Sequence, residues 1–154
     1  MNNHTSAFQR FARDAAQAAP TAVALTPETA SGEDEHPSKA YGGLWSRRDT
    51  ARTLELRPLD PTAAAEALEY SYLARVQWNA AAGIITLRYQ PLGVNVTIQG
   101  IGLFDLKEKL RQHLVTWVQE QGGDPVKMQA ARSELGKGFI WVQRIHLEET
   151  TAVD

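Results

Sequence analysis

Apolar positions along this chain recur with two periods, and the switches between them mark out the expected elements. Between residues 53 and 58, Leu54 and Leu56 alternate with Thr53, Glu55 and Arg57, as in a strand with one covered face. Asp60-Pro61 then joins an N-cap residue to proline at the first helical position. Ala63 to Leu68 is rich in helix formers, so a short helix is expected there. Tyr72, Ala74, Val76 and Trp78 alternate with Leu73, Arg75 and Gln77 and can share one face. Asn79 to Gly83 interrupts, and Ile84 to Gln90 resumes with Ile85, Leu87 and Tyr89 on one parity. After Pro91-Leu92-Gly93 the alternation returns in Val94, Val96 and Ile98. This pattern predicts a three-strand antiparallel meander over 72–99.

The period then lengthens. Leu103, Leu106, Leu110, Leu114, Trp117 and Val118 fall at helical spacing and predict a long amphipathic helix over 103–120, stopped by Gly122-Gly123. Asp124-Pro125 repeats the cap-plus-proline signature ahead of a short helix over 126–135. The last strand is expected from Phe139 to Glu148. Phe139, Trp141, Ile145 and Leu147 share one parity, while Ile140 and Val142 take the other. Covered on both faces near its start, such a strand is expected inside its sheet. The pattern implies an α+β fold: an antiparallel sheet of about four to five strands, one long amphipathic helix packed on one face, and short helices beside it.

Ahead of this domain, expected over 45–149, residues 1–44 read as a flexible polar tail. Pro20, Pro27 and Pro37 and the run Ser31-Gly32-Glu33-Asp34-Glu35 give too little apolar surface to bury. The tail holds Arg10, Arg13 and Lys39 against Asp14, Glu28, Glu33, Asp34 and Glu35, which accounts for the whole net charge of −2. Within it a helix over 5–19, capped by Thr5 or Ser6, places Phe8, Phe11, Ala12 and Ala15 on one side as a docking face. Residues 150–154 read as a disordered C-terminus.

Composition narrows the function classes more than it selects among them. The chain has 154 residues, 43% of them hydrophobic, enough for one domain with a core of its own. It has no cysteine, which excludes disulfides, thiolate zinc sites, cysteine-held iron–sulfur clusters and a cysteine nucleophile. The near-neutral charge gives no global field toward nucleic acid or anionic lipid. No apolar run reaches membrane-spanning length, and no secretory signal pattern opens the chain, so a cytoplasmic location without membrane contact is expected.

Candidate chemistry is sparse. Gly100-Ile101-Gly102 lies between a strand and a helix, the setting of a phosphate-binding turn, yet Asp105 stands where the third glycine belongs. It reads as a tight strand-to-helix turn. His4, His36, His113 and His146 show no helical metal spacing. Glu66 with Glu69 and Glu148 with Glu149 are neighbours without further support for acid–base work. No cofactor, metal or small-molecule ligand is inferred, and an enzyme with an unrecognised site is the least favoured of three readings. The second reading is a nucleic-acid accessory protein using the basic segment around 45–57, with Trp45, Arg47, Arg48 and Arg52. The leading one is a non-enzymatic interaction module or accessory subunit, binding a protein partner or its own copy. Its expected contacts are Phe8, Phe11, Trp45, Arg47, Arg48, Arg52 and Trp78, together with an open sheet edge.

Overall fold

A computed structural model describes residues 33–150. The meander forms in the expected order: β5 (Leu73–Asn79), β6 (Ile84–Tyr89) and β7 (Val94–Ile101) pair antiparallel. The expected face of β5 is corrected: the register shifts between Leu73 and Arg75, so Leu73 joins Val76 and Trp78 against the core while Tyr72 and Ala74 are exposed. Ile85, Leu87, Tyr89, Val94, Val96 and Ile98 all turn into the core. A nine-residue strand, β9 (Trp141–Glu149), adds to β7 and completes a four-stranded sheet.

A second sheet was not legible. It has the order β1 (Asp34–Glu35), β2 (Tyr41–Gly43), β8 (Val115–Gln119), β3 (Thr53–Arg57) and β4 (Glu66–Glu69). Its pairings are antiparallel except β3 with β8, which run parallel. The folded unit begins at Asp34, so β1 and β2 lie ahead of the expected boundary at residue 45. The helix expected over 5–19, with Phe8 and Phe11, lies outside the described residues, as does the C-terminus beyond Thr150.

The α+β expectation of one sheet under a long helix is therefore corrected to two sheets around a common core. Buried residues of both sheets belong to one apolar cluster, from Tyr41, Leu54, Leu56 and Val118 on one side to Leu87, Val96, Ile98 and Val142 on the other. The expected helix over 103–120 is only α1 (Phe104–Arg111), which sends Leu106 and Leu110 into that cluster. The chain then reverses. His113 takes φ 60°, its N–H bonds to Leu110 O at 3.1 Å, and Leu114 N–H bonds to Lys109 O at 3.0 Å. These are the two bonds of a Schellman ending, with histidine in the left-handed position usually held by glycine. Beyond it the β-branched Val115, Thr116 and Val118 form β8. Their apolar positions satisfy the helical and the two-residue period at once.

The short helix expected over 63–68 is also absent. Asp60 Oδ1 accepts the Thr62 N–H at 2.9 Å and its hydroxyl at 2.8 Å, which closes a turn. The alanine-rich segment then enters β4, where Leu68 faces Leu54. The second predicted helix does form, as α2 (Pro125–Leu135) with the Asp124 carboxylate capping Val126 N–H at 2.9 Å. None of its residues is buried. The Gly100-Ile101-Gly102 turn has Gly102 at φ 70°, a left-handed position that lets the chain pass from β7 to α1.

β9 departs from expectation in a way that positions the site. Gln99 pairs with Arg144 and Gly100 with Val142, which leaves Gln143 as an extra residue in the ladder. Such a bulge reverses the parity of everything beyond it. Val142 and Ile145 consequently share the core side, and Trp141 takes the other. Phe139 stacks on Trp141 with centroids 6.3 Å apart, and the indole N–H of Trp141 donates to Gly122 O at 2.7 Å. The strand expected inside its sheet is an outer strand.

Candidate protein-binding edge

Outer strands expose backbone donors and acceptors that a further strand can pair with, unless something covers them. The start of β9 is covered. Val142 accepts the Gln121 N–H at 2.7 Å and donates its own to Gln121 Oε1 at 2.8 Å. From Gln143 on, β9 runs beside β7, and no strand among the described residues pairs with its other side. Thr150 donates inward to Gly93 O at 2.6 Å. Antiparallel alternation then turns the N–H and C=O of Ile145, Leu147 and Glu149 away from β7. Side chains sort by the same alternation. Ile145 and Leu147, opposite the buried Ile98 and Val96, lie half-buried on the core side. Arg144, His146 and Glu148 stand exposed on the outer side.

The core side of this edge is not closed. β4 ends the five-stranded sheet and β9 ends the four-stranded one. Between them lies a cleft of about 150 Å³, lined by Leu56, Arg57, Pro58, Ala64, Glu66, Ile145 and Leu147. Its walls are apolar, with one cation and one carboxylate at hand. Arg57 is tied down: its guanidinium lies 4.4 Å from the Trp117 ring centroid, and its Nε donates to Glu55 at 2.9 Å. The Trp117 ring can lie there because residue 42 is glycine; a side chain at that position would run into the indole. Leu56, almost fully buried in β3, ties the cleft directly to the core.

The residues expected to bind sit elsewhere, in two groups. Trp45 is half-buried, edge-on to Tyr41 at 5.4 Å, and Lys109 Nζ lies 5.2 Å from its centroid. Arg47, Arg48 and Arg52 are exposed on the connection between β2 and β3, and Arg47 pairs with Asp49 at 3.4 Å. Of the cations of α1, Lys109 is the one that meets Trp45. Lys107 is buried against Glu108 and the Phe104 ring, and Arg111 lies 3.6 Å from Glu108. Trp78 is half-buried in β5 opposite Ile85, in the other sheet. Phe8 and Phe11 lie outside the described residues. The strip Arg144, Ile145, His146, Leu147 and Glu148 was missed, although its strict alternation of polar and apolar residues was the available signal.

The titratable groups of the interior favour structure over acid–base chemistry. Burial, reinforced by the Asp105 charge, pushes the Tyr41 phenol up to about 12. Burial also raises Tyr89 and Tyr70, the latter donating to Val115 O at 2.7 Å. All three are neutral phenols at ordinary pH. The Tyr41 and Tyr89 hydroxyls find no hydrogen-bond partner among the described residues. His36, stacked on Tyr41 at 5.1 Å, is held below the usual histidine value by burial and then by Lys109. His113 stacks on Tyr70 at 4.5 Å. Two other clefts are open and polar: one of about 340 Å³ beside Arg75, Arg111 and His113, and one of about 380 Å³ beside Leu59, Gln99, Glu120 and Arg144. Among the described residues no three His, Asp or Glu side chains are grouped to hold a metal, and no helix is long and apolar enough to cross a membrane.

Comparison with known protein families, with curated proteins and with solved structures returns no match.

Proposed function

We propose that this protein is a non-enzymatic interaction module that takes up an extended strand along β9. The observation that carries the reading is the coincidence of two openings. Residues Ile145–Glu149 leave one row of backbone groups without a neighbouring strand, and the apolar cleft against Leu56 and Ala64 lies on the core side of the same edge. A strand added there gains backbone hydrogen bonds along its length. Its alternate side chains enter the cleft, which couples affinity to specificity. Closing the cleft also removes apolar surface of Ile145 and Leu147 from water, at about 25 cal/mol per Å².

The reading predicts that an affinity-tagged full-length chain recovers a saturable partner from its native host, and that Ile145→Lys, which sets a charge in the cleft, loses it. Val126→Ser on the exposed face of α2 should bind as wild type, since Val126 is 76% exposed and far in sequence from the edge. Equal recovery by Ile145→Lys and wild type, with both folded by thermal melt, would sink the proposal.

A further inference from the structure

The open stretch of β9 is complementary to itself. Its sequence is Gln143-Arg144-Ile145-His146-Leu147-Glu148-Glu149. Two copies laid antiparallel about a two-fold axis at His146 bring Arg144 opposite Glu148 and Ile145 opposite Leu147, each pairing occurring twice. Directly opposite residues of an antiparallel pair point to the same face. Both ion pairs therefore fall on the outer face with His146, and both apolar pairs fall on the core side at the cleft. Neighbouring registers lose this match. An axis at Ile145 sets Arg144 against His146 and Glu148 against Val142. An axis at Leu147 sets His146 against Glu148 and Arg144 against Thr150.

Backbone geometry accommodates the same register. The groups that face outward belong to Ile145, Leu147 and Glu149, because Thr150 is bonded inward to Gly93. With the axis at His146, Ile145 of each copy meets Leu147 of the other as a hydrogen-bonded pair, and the two histidines form the closer, non-bonded pair between them. The Val142 groups cannot take part, since Gln121 occupies both. The bulge at Gln143 and the Gln121 contact thus bound the free edge on one side, and the end of β9 at Glu149 bounds it on the other. His146 is the middle residue of the segment Gln143–Glu149.

We infer that the occupant of this edge is a second copy of the chain, joined through β9 in an antiparallel pair centred on His146. The inference rests on the strand-addition reading and names its partner. The four-stranded sheet becomes a continuous eight-stranded one across the two-fold, and each copy covers the other's exposed edge. An isologous contact of this kind closes on itself and uses up the β9 edge of both copies.

Charge exchange gives the test. Sedimentation equilibrium of the full-length chain should show a reversible dimer. Arg144→Glu and Glu148→Arg should each weaken it roughly tenfold or more, because each places like charges opposite one another twice. The double variant Arg144→Glu/Glu148→Arg should dimerise as wild type does. An equimolar mixture of the two single variants should form a mixed dimer tighter than that of either variant alone. A wild-type chain that stays monomeric, or single variants that dimerise normally, would overturn the inference; so would folded variants that neither the double change nor mixing restores. If wild type is monomeric yet recovers a different protein that Ile145→Lys loses, strand addition stands and only the second copy is removed as its occupant.

Discussion

Two stretches of this chain begin with the same local signal and end as different structures. Asp60-Pro61 and Asp124-Pro125 each offer a capping carboxylate followed by proline and then helix-forming residues. Both carboxylates make the expected local bond, to Thr62 N–H in one case and Val126 N–H in the other, each at 2.9 Å. After Asp124 the chain is free to continue as α2, with Gly136 past its end. After Asp60 only a few residues precede Leu68, which must face Leu54 across the β3–β4 hairpin and is buried there. The alanine-rich run has higher helix propensity, by a few tenths of a kcal/mol per residue, but burial of one leucine outweighs it at about 1.5–3 kcal/mol. Local capping therefore opens a turn in both places, and the next buried contact decides whether a helix grows from it.

The difference predicts unequal responses to the same kind of change. Leu68→Ala empties a core position and should lower unfolding stability by about 2–5 kcal/mol in urea titration. Leu135→Ala, in a helix that buries none of its residues, should cost about 1 kcal/mol or less. Equal losses would mean that α2 is held by the core as firmly as β4. A smaller effect is expected from Asp124→Ala, which removes the cap and should cost about 1 kcal/mol, seen as faster amide exchange confined to α2. Exchange that quickens across both sheets instead would tie the helix to global unfolding.

The smallest effect concerns protonation of the other cap. Thr62, through its backbone N–H and then its hydroxyl, holds the Asp60 carboxyl below its ordinary value of 3.8. A depressed folded value means that the turn is favoured above the unfolded value and that this contribution disappears as pH falls through the folded one. Thr62→Val removes the hydroxyl contribution and should move the Asp60 titration, followed by carboxyl carbon NMR, back toward 3.8. An unchanged titration would assign the whole shift to the backbone bond.

What the sequence made legible was everything governed by neighbours along the chain. The meander announces itself through its turns and a two-residue period, and α2 through the Asp124-Pro125 cap and the glycine past its end. Three features depend on distant partners and were hidden. β8 carried apolar residues compatible with either period, and the helix before it ended on His113, where glycine would have signalled a stop. β2 is a three-residue strand, Tyr41–Gly43, that reads as a linker until Trp117 lies across it. The outer position of β9 depends on strand order alone, and its bulge inverted the parity from which an inner strand had been inferred. The binding strip was consequently visible only as alternation. Arg144 and Glu148 gain meaning as a pair once the edge beside them is known to be open.

The parallel pairing of β3 with β8 also bears on how the chain reaches this structure. Glu55 meets Trp117 across it, so the pairing encloses the entire meander. Closing so long a loop forfeits more chain entropy than closing the hairpins of β5, β6 and β7, and long-range pairings of this kind slow folding. The meander can assemble from adjacent segments, whereas the five-stranded sheet needs both flanks of the meander to arrive together. β9 comes after every other described strand and adds to a meander already able to stand as its template. During synthesis, therefore, β9 is the last of them to leave the ribosome, and the proposed binding edge exists only once the other described strands have been made.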